Sequence, residues 1–165
     1  MCTTTLTPLR RQFLDIKAQH PEALLFFRLG DFYELFDRDA EVAAAELEIV
    51  LTTRDFGRSG RFPMCGVPHH AAPTYIARLV KAGHRVAVCD QVGMPGNGLV
   101  ERMVTRVITP GTVVDESMLQ PETNNYLAVI VSYGSANGFA YADVTTGEFA
   151  ATEISREQVS AEVSR

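Results

Sequence analysis

"RLGDFYELF", Arg28–Phe36, closes one apolar run and opens another, so its reading decides how the first half of the chain folds. Upstream, "ALLFFRL" (Ala23–Leu29) lies between Pro21 and Gly30 and has the unbroken hydrophobicity of a strand covered on both faces. Downstream, Phe36, Ala40, Ala43 and Leu47 recur at the spacing of one helix face. Between the two, Asp31 and Glu34 have capping-box spacing: the Asp side chain accepts from the Glu34 N–H and the Glu side chain accepts from the Asp31 N–H. This predicts a helix from Asp31 to about Ile49, with Phe32 one turn before Phe36 and extending its buried stripe. The aromatics strain that reading, because Phe32 and Tyr33 at a helix start cannot both face inward. One of them should project.

Working outward, Thr7 followed by Pro8 predicts an N-cap with proline in the first turn, and Leu9, Phe13 and Ile16 carry a short amphipathic helix towards Pro21. After the second helix come a strand at "IVLTT", a glycine loop at "RDFGRSGR", and a short strand at "FPMCGV" that Pro63 pushes towards a sheet edge. "APTYIARLVKAG" is a third helix, with Ile76, Leu79 and Val80 on one face and Gly83 as its stop. "HRVAVCDQV" and "VERMVTRVIT" are strands separated by "GMPGNG". The order α-β-α-β-β-α-β-β implies an α/β (α+β) domain, a mixed sheet flanked by helices. Leu9, Phe13, Phe26, Leu47, Leu79, Val86 and Val88 are assigned to its core.

The reading places a first domain at residues 1–112, a polar linker at 113–125, and a second unit at 126–165. In the second unit "YLAVIVSY" and "GFAYADVTTGEFAATE" give three strands, turning at "GSANG" and "TTG", and a helix begins near Arg156. These are too few elements for a complete second core.

The 165 residues, 46% hydrophobic, suffice for one good core. No apolar run reaches the roughly 20 residues of a membrane span, and the N-terminus has no basic-then-apolar leader, so a cytoplasmic location is expected. Cys2, Cys65 and Cys89 are odd in number and unclustered, which favours reduced thiols. The net charge of −5 is unevenly placed. Residues 1–112 carry 13 Lys and Arg against 12 Asp and Glu, whereas residues 113–165 carry 2 against 8. Any contact with nucleic acid is therefore expected of the first domain.

Four separated motifs in one order, "GDFYELF", "FPMCGVPHHA", "VAVCDQVG" and "VERMVTRVITPGT", carry a close resemblance to the N-terminal part of the MutS family of bacterial mismatch-recognition proteins. "YADVTTGEF" resembles the start of that family's connector domain, which implies a truncated ribonuclease-H-like fold for residues 126–165. The resemblance implies that Phe32 stacks on a mispaired base from the minor groove and that Glu34 hydrogen-bonds a base of the same mispair. An apolar wedge gains selectivity because a defective pair unstacks and kinks at less cost than a sound one. A carboxylate near phosphates penalises ordinary duplex, and beside a mispair a protonated Glu34 would donate to a purine nitrogen.

Arg54, Arg58 and Arg61 are the candidates for phosphate contact, Arg54 foremost, and Met64, Pro68 and His70 are expected near the same edge. Arg102 and Arg106, placed on one strand face with Val104 and Ile108, are read as fold-stabilising or rim residues. The partners implied are double-stranded DNA with mispairs or small loops, the rest of the MutS clamp with its dimer partner, and a MutL-type protein. A nucleoid-associated place in the cytoplasm follows from the same resemblance. No G-x-x-x-x-G-K-[ST] motif occurs, so the ATP and Mg of a full-length parent have no site here and the chain itself is not expected to be an enzyme.

Three rivals remain. Asp143 would bind a divalent metal if the tail began a ribonuclease-H-like nuclease. Cys65 and His69 would need a second ligand pair to hold zinc. A protein-interaction module of the kind found among mismatch-repair paralogues would dispense with Phe32 and Glu34.

Overall fold

The computed structural model describes residues 6–92, 99–110, 124–134 and 136–163. The chain divides into two compact units, Met1–Thr109 and Pro110–Arg165. The expected linker at 113–125 falls almost wholly outside the described residues, as does the "GMPGNG" connection.

In the first unit, α1 spans Pro8–Gln19, with Thr7 Oγ1 accepting from the Arg10 N–H. Strand β1 is Ala23–Leu29. The next element is not a helix. Phe32–Phe36 forms β2, antiparallel to β1, with Leu29 opposite Phe32 and Phe27 opposite Glu34. A two-residue turn joins them, and Gly30 takes it with φ 59°, a left-handed conformation that glycine reaches without Cβ strain. Asp31 and Glu34 therefore form no capping box, and α2 begins at Asp37 and ends at Leu47. Pairing on both edges of β2 outweighs the local cap.

The remaining elements are β3 (Thr52–Asp55), β4 (Arg61–Pro68), α3 (Ala72–Lys81), β5 (Arg85–Gln91) and β6 (Arg102–Ile108). The sheet order is β3-β4-β2-β1-β5-β6, with β1 and β5 parallel and every other neighbouring pair antiparallel. A mixed sheet flanked by helices is thus the fold. Strand β4 is interior rather than an edge. Pro63 is accommodated because β2 joins β4 only from Met64 onward, so at Pro63 the strand is paired on one side alone.

Alternation along the strands divides the core into two layers. On one face Phe13 and Ile16 of α1 close over Leu25, Phe27, Phe36, Phe56, Ala87 and Cys89. On the other, Phe26, Tyr33, Leu35, Cys65, Val67, Val86 and Val88 are buried together with Ala40, Ala43, Leu47, Ile76 and Leu79 of α2 and α3. Of the residues expected in the core only Leu9 is half-buried; the rest are sealed.

A register shift between Val88 and Cys89 changes the reading of β6. Arg102 and Val104 stay on the α1 face, while Arg106 and Ile108 fall on the opposite one, so the two arginines do not share a face. Arg102 is 8% exposed and joins three segments. It donates to the Arg28 and Val100 carbonyls and to Gln12 Oε1, with its guanidinium over the Phe27 ring.

The second unit is a three-stranded antiparallel sheet, β7 (Tyr126–Tyr133), β8 (Ala136–Asp143) and β9 (Phe149–Ile154), followed by α4 (Val159–Val163). Every residue of β7 is exposed.

Candidate nucleic-acid interface

Phe32, Glu34 and Phe36 point to the α1 face of the sheet. Helix α1 covers that face only in part. Phe13 meets Phe36 edge-on at 5.0 Å and Phe27 at 5.6 Å, so the Phe36 end of β2 is sealed. At the turn end Phe32 is 47% exposed, the ring lying on the outermost rung between Leu29 of β1 and Pro68 of β4. The expectation that one of the paired aromatics projects is met by Phe32. Tyr33 turns inward to the opposite layer, where its hydroxyl donates to the Asp90 carboxylate; burial and then that carboxylate raise its pKa above the ordinary value.

A hydrogen bond fixes the rim around Phe32: the His69 N–H donates to the Asp31 carbonyl at 2.8 Å, tying the 3-10 turn His69–Ala71 to the β1–β2 turn. His69 and His70 are both exposed beside it. Opposite Glu34 stands Gly66, which leaves that rung without a side chain. A Cβ there would lie 3.5 Å from Glu34 Cγ and 3.9 Å from Phe32 Cδ1.

Glu34 is partly buried, its side chain 13% exposed, and its Oε2 accepts from Arg54 Nη1. Arg54 lies on β3, opposite Phe62 of β4, so its side chain reaches diagonally across β4 to the carboxylate. The three arginines of "TRDFGRSGR" thus part company. Arg54 joins Glu34, Arg58 is exposed on the 3-10 turn Gly57–Ser59, and Arg61 stands on the opposite face, 3.5 Å from Asp55. The glycine loop is a tight hairpin closed by the Phe56 N–H on the Gly60 carbonyl. Met64, opposite Phe36, packs against the α1 layer and sits away from the rim.

Sequence reasoning did not foresee the Glu34–Arg54 pair. The partners are 20 residues apart and meet only because β4 lies between β2 and β3. Nor did it foresee Arg10, 4% exposed, stacked 4.0 Å over the Phe62 ring and paired with Asp37 at 2.7 Å. That contact anchors α1 to the start of α2 and so sets where α1 stops covering β2.

Arg102 lies below this surface: burial lowers its guanidinium pKa, the negative charge of a Cys89 thiolate acts in the opposite direction, and the positive charge of Arg54 lowers it further.

In the second unit Asp143 is 1% exposed, and its oxygens accept from the Asn125 and Thr145 N–H groups and the Thr146 hydroxyl. Burial opposes ionisation, but those donors outweigh it and hold the carboxyl below its ordinary pKa. Its oxygens serve the turn after β8. Among the described residues no group of three His, Cys, Asp or Glu side chains is placed to hold a metal, and no helix is long and apolar enough to cross a membrane.

The family model for MutS domain I matches residues 7–117. A DNA mismatch repair protein MutS from Dehalococcoides mccartyi (strain CBDB1) is 50% identical over 161 residues, covering 96% of this chain and 19% of the relative. A protein of the same name from Ruminiclostridium cellulolyticum is 55% identical over 152 residues, 91% of this chain and 17% of its own length. Another from Desulforamulus reducens is 56% identical over 152 residues, 90% and 18% respectively. The chain spans about a fifth of the length of the curated relatives it matches.

Proposed function

The chain belongs to the MutS domain I family, and from that premise we propose that it is the mismatch-recognition module of a repair protein, reading DNA through Phe32 and Glu34. The observation that carries this reading is the Phe32 ring, 47% exposed at the end of a strand whose Tyr33, Leu35 and Phe36 are buried. A phenyl ring on a rigid sheet rung is a suitable wedge between base steps, because its position is fixed before it meets the duplex. Unstacking costs a few kcal/mol in sound duplex and less where pairing is already defective. The wedge therefore selects by deformability and needs no sequence code.

Glu34 serves as the second reader, hydrogen-bonding a base of the mispair while its charge discourages matched DNA. Arg58 at the hairpin tip, with His70 and Pro68 beside the Phe32 rim, supplies candidate backbone contacts. Residues 126–165 begin a ribonuclease-H-like connector. ATP, magnesium, the remaining clamp, the dimer partner and a MutL-type protein act in this reading through regions outside residues 1–165, and a cytoplasmic, nucleoid-associated protein is the natural setting.

The test is binding of the chain to a duplex carrying one G·T mispair and to its matched counterpart at about 50 mM salt, where phosphate attraction is only weakly screened. A 2-aminopurine beside the mispair should brighten on binding as its stack opens. Phe32→Ala should abolish both the mispair preference and the fluorescence change. A variant that keeps both would overturn the assignment and favour a protein-interaction module.

A further inference from the structure

Arg54 is a natural phosphate anchor by residue type, but the structure uses it otherwise. Its Nη1 is committed to Glu34 Oε2, and its guanidinium carbon lies 5.9 Å from the centre of the Phe56 ring, part of the α1 core layer. With its side chain 33% exposed and Glu34 13% exposed, the pair sits in the sheet face rather than on the rim. Gly66 leaves open the rung against which the Glu34 side chain lies. Arg54 donates to Oε2, and among the described residues no donor reaches Oε1.

We infer that Arg54 is a positioning and specificity residue for Glu34: it fixes the carboxylate through Oε2, offsets its charge, and presents Oε1 beside Phe32 to the base. This rests on the mismatch-recognition reading and explains a difficulty within it. A bare carboxylate next to stacked bases and phosphates is repelled by every duplex, mispaired or not. Held by Arg54, it repels less and keeps one directed acceptor, so discrimination comes from whether a base can meet that acceptor.

The inference separates sharply from phosphate anchoring. An anchor releases counterions, so its loss weakens all duplexes alike and reduces the salt slope by about 0.9. A positioning residue acts through Glu34, so its loss depends on what stands at position 34.

The experiment measures affinities of Arg54→Met, Arg54→Lys, Glu34→Gln, the Arg54→Met/Glu34→Gln double variant and Phe32→Ala for G·T and matched duplexes across a salt series. Circular dichroism confirms that each variant is folded. The inference expects Arg54→Met to weaken mispair binding about fivefold, the equivalent of a partly exposed ion pair of ~1 kcal/mol, with the salt slope unchanged. It expects Arg54→Lys to recover part of that loss, and the double variant to match Glu34→Gln alone, since a neutral side chain needs no counter-charge. A slope lower by about one, or additive effects of the two substitutions, would overturn it. If Phe32→Ala abolishes preference while the cycle is additive, only the role of Arg54 fails. If Phe32→Ala or the unaltered chain shows no Phe32-dependent preference, the underlying reading fails with it.

Discussion

Phe32 and Phe36 stand on the same face of the same strand, two rungs apart, yet one is 47% exposed and the other 1%. The difference is made by neighbours rather than by the strand. Helix α1, pinned by Arg10 to Asp37 and by the Thr7 N–H to Ser59 Oγ, ends its cover at Phe36. Beyond it the sheet face carries Glu34, Arg54, Gly66 and the exposed ring. One layer of core thus passes into an open sheet face with no change of element, and rigidity set at the sealed end is inherited at the open one.

The largest effect expected from this comparison is at the sealed end. Phe36 meets the rings of Phe13, Phe27 and Phe56, and Phe36→Ala should cost about 3–5 kcal/mol of folding stability by urea titration. A loss below about 1 kcal/mol would mean that α1 does not close this layer.

The thiols report on both layers at once. Cys65 and Cys89 are buried on opposite faces, and burial pushes their thiols up to about 11 and about 12. The sign follows from proton counts. Between the ordinary thiol pKa near 9 and these values the unfolded chain has lost protons that the folded chain keeps. Their contribution is therefore intact below pH 9 and drains away as pH rises through 11 and 12. At those values the folded chain holds at least about a hundredfold less thiolate, so in a Cys2→Ser variant labelling at pH 8 should be slow when folded and fast in urea. Rapid labelling of the folded chain would show that one layer is open.

Gly30 should matter less. At φ 59° nothing lies within 4 Å of the point a Cβ would occupy, so Gly30→Ala should cost only the left-handed strain, about 1 kcal/mol, and leave the β1–β2 pairing in place.

The turn at Gly30 also marks where the sequence was legible and where it was not. Ala23–Leu29, Pro8–Gln19 and Tyr126–Tyr133 follow from continuous hydrophobicity, a Thr-Pro cap and strand propensity, signals local to each segment. At Phe32–Phe36 the capping distance of Asp31 and Glu34 points to a helix start, yet the segment is a strand. The strand prevails because β1 and β4 both pair with β2, which no local rule foresees. The interior place of β4 and the irregular register of β6 were hidden for the same reason. At the site, the projecting ring was legible from crowding of adjacent aromatics. The pairing of Glu34 with Arg54 was not, because charge and spacing cannot tell a phosphate ligand from a partner one strand away.

The smallest expected effect bears hardest on the comparison. Phe32 keeps about half of its surface in water on folding, and among the described residues it has no aromatic neighbour within stacking range. Removing the ring leaves Leu29 and Pro68 on its rung and the His69–Asp31 hydrogen bond of the turn in place. Phe32→Ala should accordingly cost no more than about 1 kcal/mol of folding stability, against the several lost at Phe36. Equality of the two would mean that the ring at the turn is held by the core after all, and any loss of DNA discrimination in that variant would then report unfolding rather than a missing wedge. A near-silent stability change joined to lost discrimination would instead place the function of Phe32 outside the core that supports it.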